Sequence, residues 1–421
     1  MFKDRNENLI LRLPFGFRDI FPLEASERRC IEDTIRREFV QWGYGEVKTP
    51  VFEYTKNISA GVGKNWKDKL ISFFDNDGNL VSLRADMTIP IARLSGMRLK
   101  SGQLPARFYY FANSFRQSGF QKGEKRVLEQ AGLEFIGAES QAADVEVLSI
   151  LIKILQKLSV KGFKIGIGHI RLLEGLAEWF ELDQDGMEFL RDNLISSDLV
   201  SIKDFLTQRD KKKADVFLKL MEPVENIKIF HRIISEIKLK KVYDSFNYLK
   251  GVYGVLEELG FSEYLIVDFS IMRQFNYYSG LIFEAYCPKI TELIGSGGRY
   301  DGLIKKFGLD VPATGFALDV DLLHKALDKP AVIKFKNAER VFLFGPSSGI
   351  LDMIKLAEKL KGNGLIVELF FDDDSDLESL AAASKAVSIY RPDFKKSTVE
   401  ITDIIKKIKR IVKIEECIQQ K

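Results

Sequence analysis

The feature that most constrains the fold is an interruption, because a long helical segment divides a region that otherwise alternates between strands and helices. From residue 170 to about 260 the pattern is helical and rich in lysine. Strand patterns precede this segment at 107–114, 128–136 and 163–168, and they resume at 264–269 and 280–286. This order predicts an α+β domain, residues 1–329, that carries a helical insertion at about 170–260.

Further segments complete the predicted organisation. Helices are expected at 23–42, 142–158 and about 315–328, a strand at 46–52, and a hairpin turn at 75–78. After a linker at 330–337, a strand at 341–344, a helix at 351–360, a strand at 365–371 and later helices predict a small C-terminal α/β domain, 338–421. The lysine runs at 211–213 and 406–410 are interpreted as solvated helix faces, with contact to RNA as the alternative.

Composition excludes several classes of protein. Of the 421 residues, 46% are hydrophobic, and 63 Lys and Arg against 60 Asp and Glu give a net charge of +3, which argues against a dedicated nucleic-acid binder. The three cysteines and three histidines show no metal-ligand spacing, so no metal and no cofactor is expected. Residues 1–12 lack the apolar core of a signal peptide, and no apolar run reaches about 18 residues, so a cytoplasmic protein is expected.

The strand at 128–136 predicts a binding surface. Successive side chains of a strand point to opposite faces. The apolar members, which share the core face, are Ala131, Leu133 and Phe135. Gln130 and Glu134 share the other face on either side of Gly132, which predicts a shallow pocket floor suited to a cationic ligand. The alternative is a solvent-exposed strand face.

Three other segments offer groups for the same pocket. Arg116 closes the preceding strand and can hold a carboxylate with its guanidinium, or it can form a surface ion pair. Asp86 and Thr88 follow a strand, where they can line a site or cap the next helix. Tyr277 and Tyr278 precede a strand and are expected to point to opposite sides.

Two segments look like phosphate sites but lack part of the pattern. The glycines at 295–298 lack the ending of a phosphate-binding loop, so close backbone packing is expected there. The acidic residues at 372–376 are interpreted as the start of a helix.

Taken in order, these segments resemble the catalytic core of class II aminoacyl-tRNA synthetases, and histidyl-tRNA synthetases in particular. The resemblance covers most of residues 10–328. Its parts are the opening at 13–19, the dimer-forming first motif at 23–50, the second motif at 115–134, the histidine-specific signature at 277–280 and the approach to the third motif at 312–317. It implies an antiparallel sheet flanked by helices, and it likens the C-terminal domain to an anticodon-binding domain.

Two positions depart from the synthetase pattern. Leu322 stands where the third motif has an arginine that holds ATP, and Ser118 stands where the second motif has a carboxylate. An apolar side chain cannot replace a guanidinium that faces phosphate, and Asp319 and Asp321 make the region acidic. The resemblance therefore favours the regulatory subunits of ATP phosphoribosyltransferase, which are synthetase paralogues, over active synthetases.

That resemblance implies a non-catalytic protein which binds histidine. The residues that would contact histidine are Asp86, Thr88, Arg116, Gln130, Glu134, Arg273, Tyr277 and Tyr278. The implied partner is a short-form catalytic subunit of ATP phosphoribosyltransferase, which the chain would activate and subject to feedback inhibition by histidine. A homodimer within a larger hetero-oligomer is implied, and nucleic acid is not. The alternatives are an active histidyl-tRNA synthetase and a histidine-sensing adaptor with another target.

Overall fold

The structure is a computed structural model, and it describes residues 13–62, 69–117, 125–271, 277–328, 339–372 and 376–419. They belong to two compact units, Met1–Ala331 and Val332–Lys421. No helix in these ranges is both long and apolar enough to cross a membrane. The same ranges contain no group of three or more His, Cys, Asp or Glu residues placed to hold a metal ion.

The first unit combines strands and helices in the predicted order. Its strands are β1 (Gly45–Glu46), β2 (Phe52–Tyr54), β3 (Ser72–Phe74), β4 (Leu80–Leu83), β5 (Ala106–Phe115), β6 (Val127–Ile136), β7 (Lys164–His169), β8 (Leu265–Val267), β9 (Leu281–Cys287), β10 (Ile290–Arg299) and β11 (Ala313–Asp319). Its helices are α1 (Pro22–Gln41), α2 (Thr55–Val62), α3 (Thr88–Arg98), α4 (Gln141–Lys157), α5 (Ile170–Trp179), α6 (Gln184–Ile195), α7 (Leu199–Thr207), α8 (Lys211–Leu220), α9 (Phe230–Glu236), α10 (Lys240–Glu258) and α11 (Val320–Ala326).

Eight of the described strands form the main sheet, in the order β1-β5-β6-β11-β10-β9-β7-β8. The neighbours from β5 to β7 pair antiparallel, as predicted, whereas the two outermost pairs, β1 with β5 and β7 with β8, are parallel. The α+β fold class is therefore confirmed, with a mixed sheet. A smaller sheet has the order β2-β4-β3, and its β3–β4 turn is the predicted hairpin.

The helical insertion is confirmed, since α5 to α10 occupy the chain between β7 and β8. These two strands are neighbours in the sheet, with Ile165 opposite Leu265, so the insertion leaves and rejoins the sheet at one edge. Helix α1 supports the middle of the sheet. Its residues at helical spacing, Ile31, Ile35 and Phe39, are almost completely buried in the same core as Leu133 of β6, which leaves the opposite face of β6 free to form a site.

Two predictions for this unit are wrong in detail. The segment 46–52 does not form one strand, because it divides between β1 and β2, which belong to different sheets, and Pro50 between them cannot donate a ladder hydrogen bond. The predicted helix at 315–328 begins only at Val320. Its first part is strand β11, where Thr314 and Gly315 disfavour a helix and pairing with both β6 and β10 satisfies the backbone.

The second unit is a five-stranded sheet with helices on both faces. Its elements are β12 (Arg340–Gly345), α12 (Ile350–Gly362), β13 (Ile366–Phe371), α13 (Leu377–Ala383), β14 (Ser388–Asp393), β15 (Thr398–Asp403), β16 (Ile408–Lys413) and α14 (Ile414–Gln419), with strand order β13-β12-β14-β15-β16. Residues 406–410 are therefore not a helix face. Residues 406 and 407 lie in the turn before β16, and residues 408–410 begin that strand. In the turn, Asp403 accepts hydrogen bonds from the backbone N–H groups of Ile405 and Lys406.

Candidate functional site

A cavity of about 1020 Å³ lies over β6, β11, β10 and β9 of the first unit, on the face opposite α1. Its lining includes all the predicted site residues that the structure describes, which are Asp86, Thr88, Arg116, Gln130, Glu134, Tyr277 and Tyr278. Arg273 and Ser118 lie outside the described residues. Side chains predicted from four separate segments of the sequence therefore meet in one place.

Glu134 lies at the floor of the cavity with only 1% of its surface exposed. Its Oε1 accepts a hydrogen bond from the Thr88 hydroxyl at 2.8 Å, and its Oε2 accepts one from the Tyr300 hydroxyl. Burial raises the pKa of Glu134 to about 8, although both hydrogen bonds favour the charged form. The alternative of a solvent-exposed strand face is wrong for this residue.

Asp86 is the second buried carboxylate, with 4% of its surface exposed. Its Oδ1 accepts a hydrogen bond from the backbone N–H of Ile89 at 3.3 Å, and its Oδ2 accepts one from the Tyr277 hydroxyl at 3.2 Å. Asp86 therefore both contacts the first turn of α3 and lines the cavity. The two interpretations of this segment, as a helix cap and as part of a site, are compatible. Burial raises the pKa of Asp86 to about 6, and the nearby Arg116 guanidinium opposes that rise.

The two carboxylates define what this end of the cavity can bind. Within the residues that the structure describes, neither Asp86 nor Glu134 forms an ion pair with a lysine or arginine. Two buried acids are costly in their charged forms, and the charge of Arg116 near Asp86 compensates this cost only in part. A ligand that brings a positive charge between them relieves this cost, so the site is suited to an ammonium or an imidazolium group.

Other lining groups suit the remaining parts of a small zwitterion. Arg116 is oriented by a hydrogen bond from its Nε to the backbone oxygen of Ala85 at 3.1 Å. The buried Oε1 of Gln130 has no hydrogen-bond partner among the described residues, so it can accept one from a ligand. Tyr277 and Tyr278 both line the cavity with ring centroids 4.8 Å apart, so the expectation that they point to opposite sides is wrong.

Sequence reasoning missed Tyr300 and Tyr110, which also line the cavity. Tyr110 takes the space above Gly132, where an added Cβ would lie 2.3 Å from its hydroxyl. The pairing of β5 with β6 places Tyr110 directly opposite Gly132. The missing side chain at 132 is thus the available signal, and the expectation of an open pocket floor is wrong there because an aromatic ring fills the space.

The cavity reaches two regions beyond the carboxylates. Leu194, Ile195 and Ser197, at the end of α6, bring the helical insertion to its wall. On another side it is lined by Leu322, which is 8% exposed, and by Asp319, whose carboxylate accepts the N–H of Leu322 at 2.9 Å and so caps α11. The same cavity therefore contains the carboxylate pair and the residue expected in place of the third-motif arginine.

Close packing between β11 and β6 gives a prediction for Gly315. An added Cβ would lie 2.1 Å from Oε2 of Glu134 and 2.3 Å from the backbone oxygen of Leu133, so backbone as well as side chain must move. We expect Gly315→Ala to lower the free energy of unfolding by about 2 kcal/mol, the usual cost of overpacking. Chemical denaturation measures this loss.

A matched control is Gly254→Ala in α10, where an added Cβ meets no atom within 4 Å. Alanine favours a helix over glycine, so this control should keep or raise stability. Equal losses in the two variants would contradict the packing argument.

Comparisons with known proteins show the family of this chain. The sequence model of the family described as histidyl-tRNA synthetase matches residues 16–323. The ATP phosphoribosyltransferase regulatory subunit of Thermoanaerobacter pseudethanolicus is 33% identical over 363 residues, which cover 86% of this chain and 94% of that protein. The protein of the same name from Symbiobacterium thermophilum is 34% identical over 393 residues, which cover 90% and 96%.

Solved structures give the same result. A crystal structure from Bacillus halodurans, described as an ATP phosphoribosyltransferase regulatory subunit/histidyl-tRNA synthetase, matches with a TM-score of 0.78 and 28% identity over 91% of this chain and 98% of that one. Histidyl-tRNA synthetase from Nostoc, at 19% identity and a TM-score of 0.77 over 96% and 98%, shows the shared fold. The chain therefore belongs to the histidyl-tRNA synthetase family and is similar within it to proteins named ATP phosphoribosyltransferase regulatory subunit.

Proposed function

We propose that this chain is a non-catalytic regulatory subunit of ATP phosphoribosyltransferase, that it binds histidine in the cavity, and that it passes feedback inhibition to a short catalytic subunit at the first step of histidine biosynthesis. One observation carries the proposal: a single cavity contains the buried pair Asp86 and Glu134 and, on another side, the apolar Leu322. The names of the curated relatives support it. An amino-acid site beside a side chain that cannot hold phosphate suits a sensor better than an enzyme.

Histidine matches the groups of the cavity one by one. Its ammonium and imidazole are the groups that Asp86 and Glu134 can receive, and the tyrosine rings can stack against the imidazole. Its carboxylate suits the guanidinium of Arg116 and the N–H₂ group of the Gln130 amide, while Oε1 of that amide can accept from a ligand N–H. The role of Arg273 at this site stays a prediction.

Activation of histidine with ATP would need positive charge that faces the phosphates. By resemblance, two arginines supply this charge in synthetases. Arg116 corresponds to the first of these arginines. Leu322 occupies the position of the second, and its side chain presents only methyl groups to the cavity. Losing an electrostatic contact to a transition state typically costs several kcal/mol, which argues against aminoacylation.

Regulation follows if histidine binds two arrangements of the hetero-oligomer with different affinities. It then favours one arrangement, and the partner must change the affinity for histidine by the same factor. The end of α6 lines the cavity, so the insertion is the element in direct reach of the bound ligand. It can take a different position when the cavity is filled.

The test is reconstitution with a purified short-form catalytic subunit. We expect little phosphoribosyltransferase activity from that subunit alone, a large increase when this chain is added, and inhibition of the mixture by histidine. Release of pyrophosphate from ATP and phosphoribosyl pyrophosphate measures each state. Absence of both activation and histidine sensitivity would contradict the proposal.

A second candidate, an active histidyl-tRNA synthetase, is favoured by the C-terminal unit, whose sequence resembles an anticodon-binding domain. The two candidates separate in one assay, because only a synthetase exchanges pyrophosphate into ATP when histidine is added. We expect no exchange above background. Histidine-dependent exchange would support the synthetase and overturn the regulatory proposal.

A further inference from the structure

One carboxylate beside the cavity forms ion pairs with an unusual number of cationic side chains. Asp321 of α11 forms ion pairs with Arg18, Arg28 and Lys125, and a fourth with Lys325 at 3.2 Å. These cations come from the segment before α1, from α1 itself, from the segment before β6 and from α11. Cations from the N-terminal region, from the segment before β6 and from α11 itself therefore converge on one acidic group.

The centre of this cluster is shielded from water, while the side chains of Arg18 and Lys325 at its edge are 49% and 50% exposed. The side chains of Arg28 and Asp321 are only 6% and 7% exposed. Buried charges of one sign are unfavourable unless opposite charges compensate them. Two further carboxylates take part, since Glu24 pairs with Arg18 and Arg28, and Glu129 pairs with Arg28.

The balance of charge depends on Asp321. Asp319 also lies close enough to Lys125, Lys325 and Arg28 to interact with their charges. Four cations therefore face four carboxylates, and without Asp321 the same four cations would face three. Among the residues that the structure describes, Asp321 is also the one carboxylate that pairs with all four cations. Its removal would leave an empty position ringed by positive charge, which is the usual form of a binding site for an oxyanion.

The cluster opens onto the cavity through Lys125. This lysine lines the cavity with Asp319 and Leu322, and its ammonium group is paired with Asp321. Burial lowers the pKa of Lys125 to about 8, and the neighbouring Lys325 and Arg18 lower it further, while Asp319 opposes the shift. An anion that reached this end of the cavity would thus meet a cation that is already engaged.

We infer that Asp321 is a resident anion, which occupies the position where these four cations would otherwise hold a phosphate or diphosphate group. It restricts the cavity to ligands without phosphate, in addition to the effect of Leu322. The inference goes beyond the proposed function, because it concerns which ligands are excluded and holds whether or not histidine binds.

The experiment compares binding of inorganic pyrophosphate to the full chain and to Asp321→Asn by isothermal titration, at one ionic strength set with KCl. Asparagine keeps the size of the side chain and removes its charge. We expect at least tenfold tighter binding by the variant than by the unchanged chain. Adding Lys125→Met to Asp321→Asn should abolish the gain, since the gained site depends on that cation.

The matched control is Asp328→Asn, which changes the net charge equally at an exposed carboxylate that pairs with Lys161 and Lys289. It should bind pyrophosphate no better than the unchanged chain. A folded Asp321→Asn variant without the gain, or an equal gain in the control, would overturn the inference. If the variant does not fold, Asp321→Ser takes its place in the same titration.

The unchanged chain gives a test that does not depend on the folding of any Asp321 variant. Pyrophosphate should raise its thermal unfolding temperature no more than KCl of equal ionic strength does. A larger rise that Lys125→Met removes would mean that the site is already open to anions, and the inference would fail. A purely structural role of Asp321 predicts no change in anion affinity in any of these measurements.

Discussion

Replacing Glu134 with glutamine should lower the affinity of the chain for histidine by roughly 30-fold or more, the usual effect of removing one member of a buried, hydrogen-bonded charge pair. Glutamine has the same shape but carries no charge, and its amide N–H₂ would face the Thr88 or Tyr300 hydroxyl that now donates to a carboxylate oxygen. The ligand cation would then keep Asp86 but lose the charge of Glu134 as a buried counter-ion. Isothermal titration with histidine measures the change.

The control for this variant is Glu139→Gln, in the exposed turn after β6. It makes the same chemical change a short distance along the chain and should leave histidine affinity unaltered. If Glu134→Gln bound histidine as tightly as the unchanged chain, the ligand would lie elsewhere in the cavity, and the assignment of Glu134 would be wrong. Circular dichroism of both variants separates loss of binding from loss of fold.

Patterns that depend on near neighbours in sequence could be predicted, because strand and helix periodicity are local properties. The alternation along β6 placed Leu133 in the core and Glu134 on the opposite face, and the structure confirms both. The apolar spacing in α1 predicted its buried stripe in the same way. The strands β7 and β8 on either side of the insertion were predicted from their local patterns in the same way.

Features that depend on contacts between distant residues could not be predicted. The hydroxyl of Tyr300 reaches Glu134 across 166 positions of sequence, and no pattern around residue 300 points to it. Strand β11 was mistaken for a helix, because a central strand buried on both faces loses the alternation that identifies strands.

The acidic character near Leu322 was recognised, but its meaning changed with the structure. In the sequence, Asp319 and Asp321 suggest a region that simply repels phosphate. In the structure, Asp319 caps α11 and Asp321 neutralises cations from three other segments. Net charge along a sequence cannot distinguish an acidic surface from a compensated cluster, because compensation depends on which segments meet.

The buried acids make the stability of the unliganded chain depend on pH in a definite direction. The usual pKa of a glutamate is 4.5, whereas that of Glu134 in the folded chain is about 8. Between these values the folded chain holds a proton that the unfolded chain has lost, so the free energy of unfolding falls as pH rises. Asp86 acts in the same direction between its usual 3.8 and about 6.

The expected loss is large, because 1.36 kcal/mol per pKa unit gives roughly 3 to 5 kcal/mol for Glu134 between pH 4.5 and 8. Denaturant unfolding at a series of pH values measures it in the unchanged chain and in Glu134→Gln. Glutamine cannot ionise, so the variant should lose this part of the slope and be the more stable of the two above pH 8. The part due to Asp86, below about pH 6, should remain in both.

Histidine should weaken this dependence of stability on pH, because its cation stabilises the ionised form of Glu134 and so lowers the pKa of that group in the complex. Binding near pH 7 should then release a proton from Glu134, which appears as a binding enthalpy that varies with the ionisation enthalpy of the buffer. Glu134→Gln should show no such release from this position. If the free energy of unfolding of Glu134→Gln kept the pH slope of the unchanged chain, Glu134 would be ionised in the empty cavity. Thr88 and Tyr300 would then stabilise its charge without any ligand.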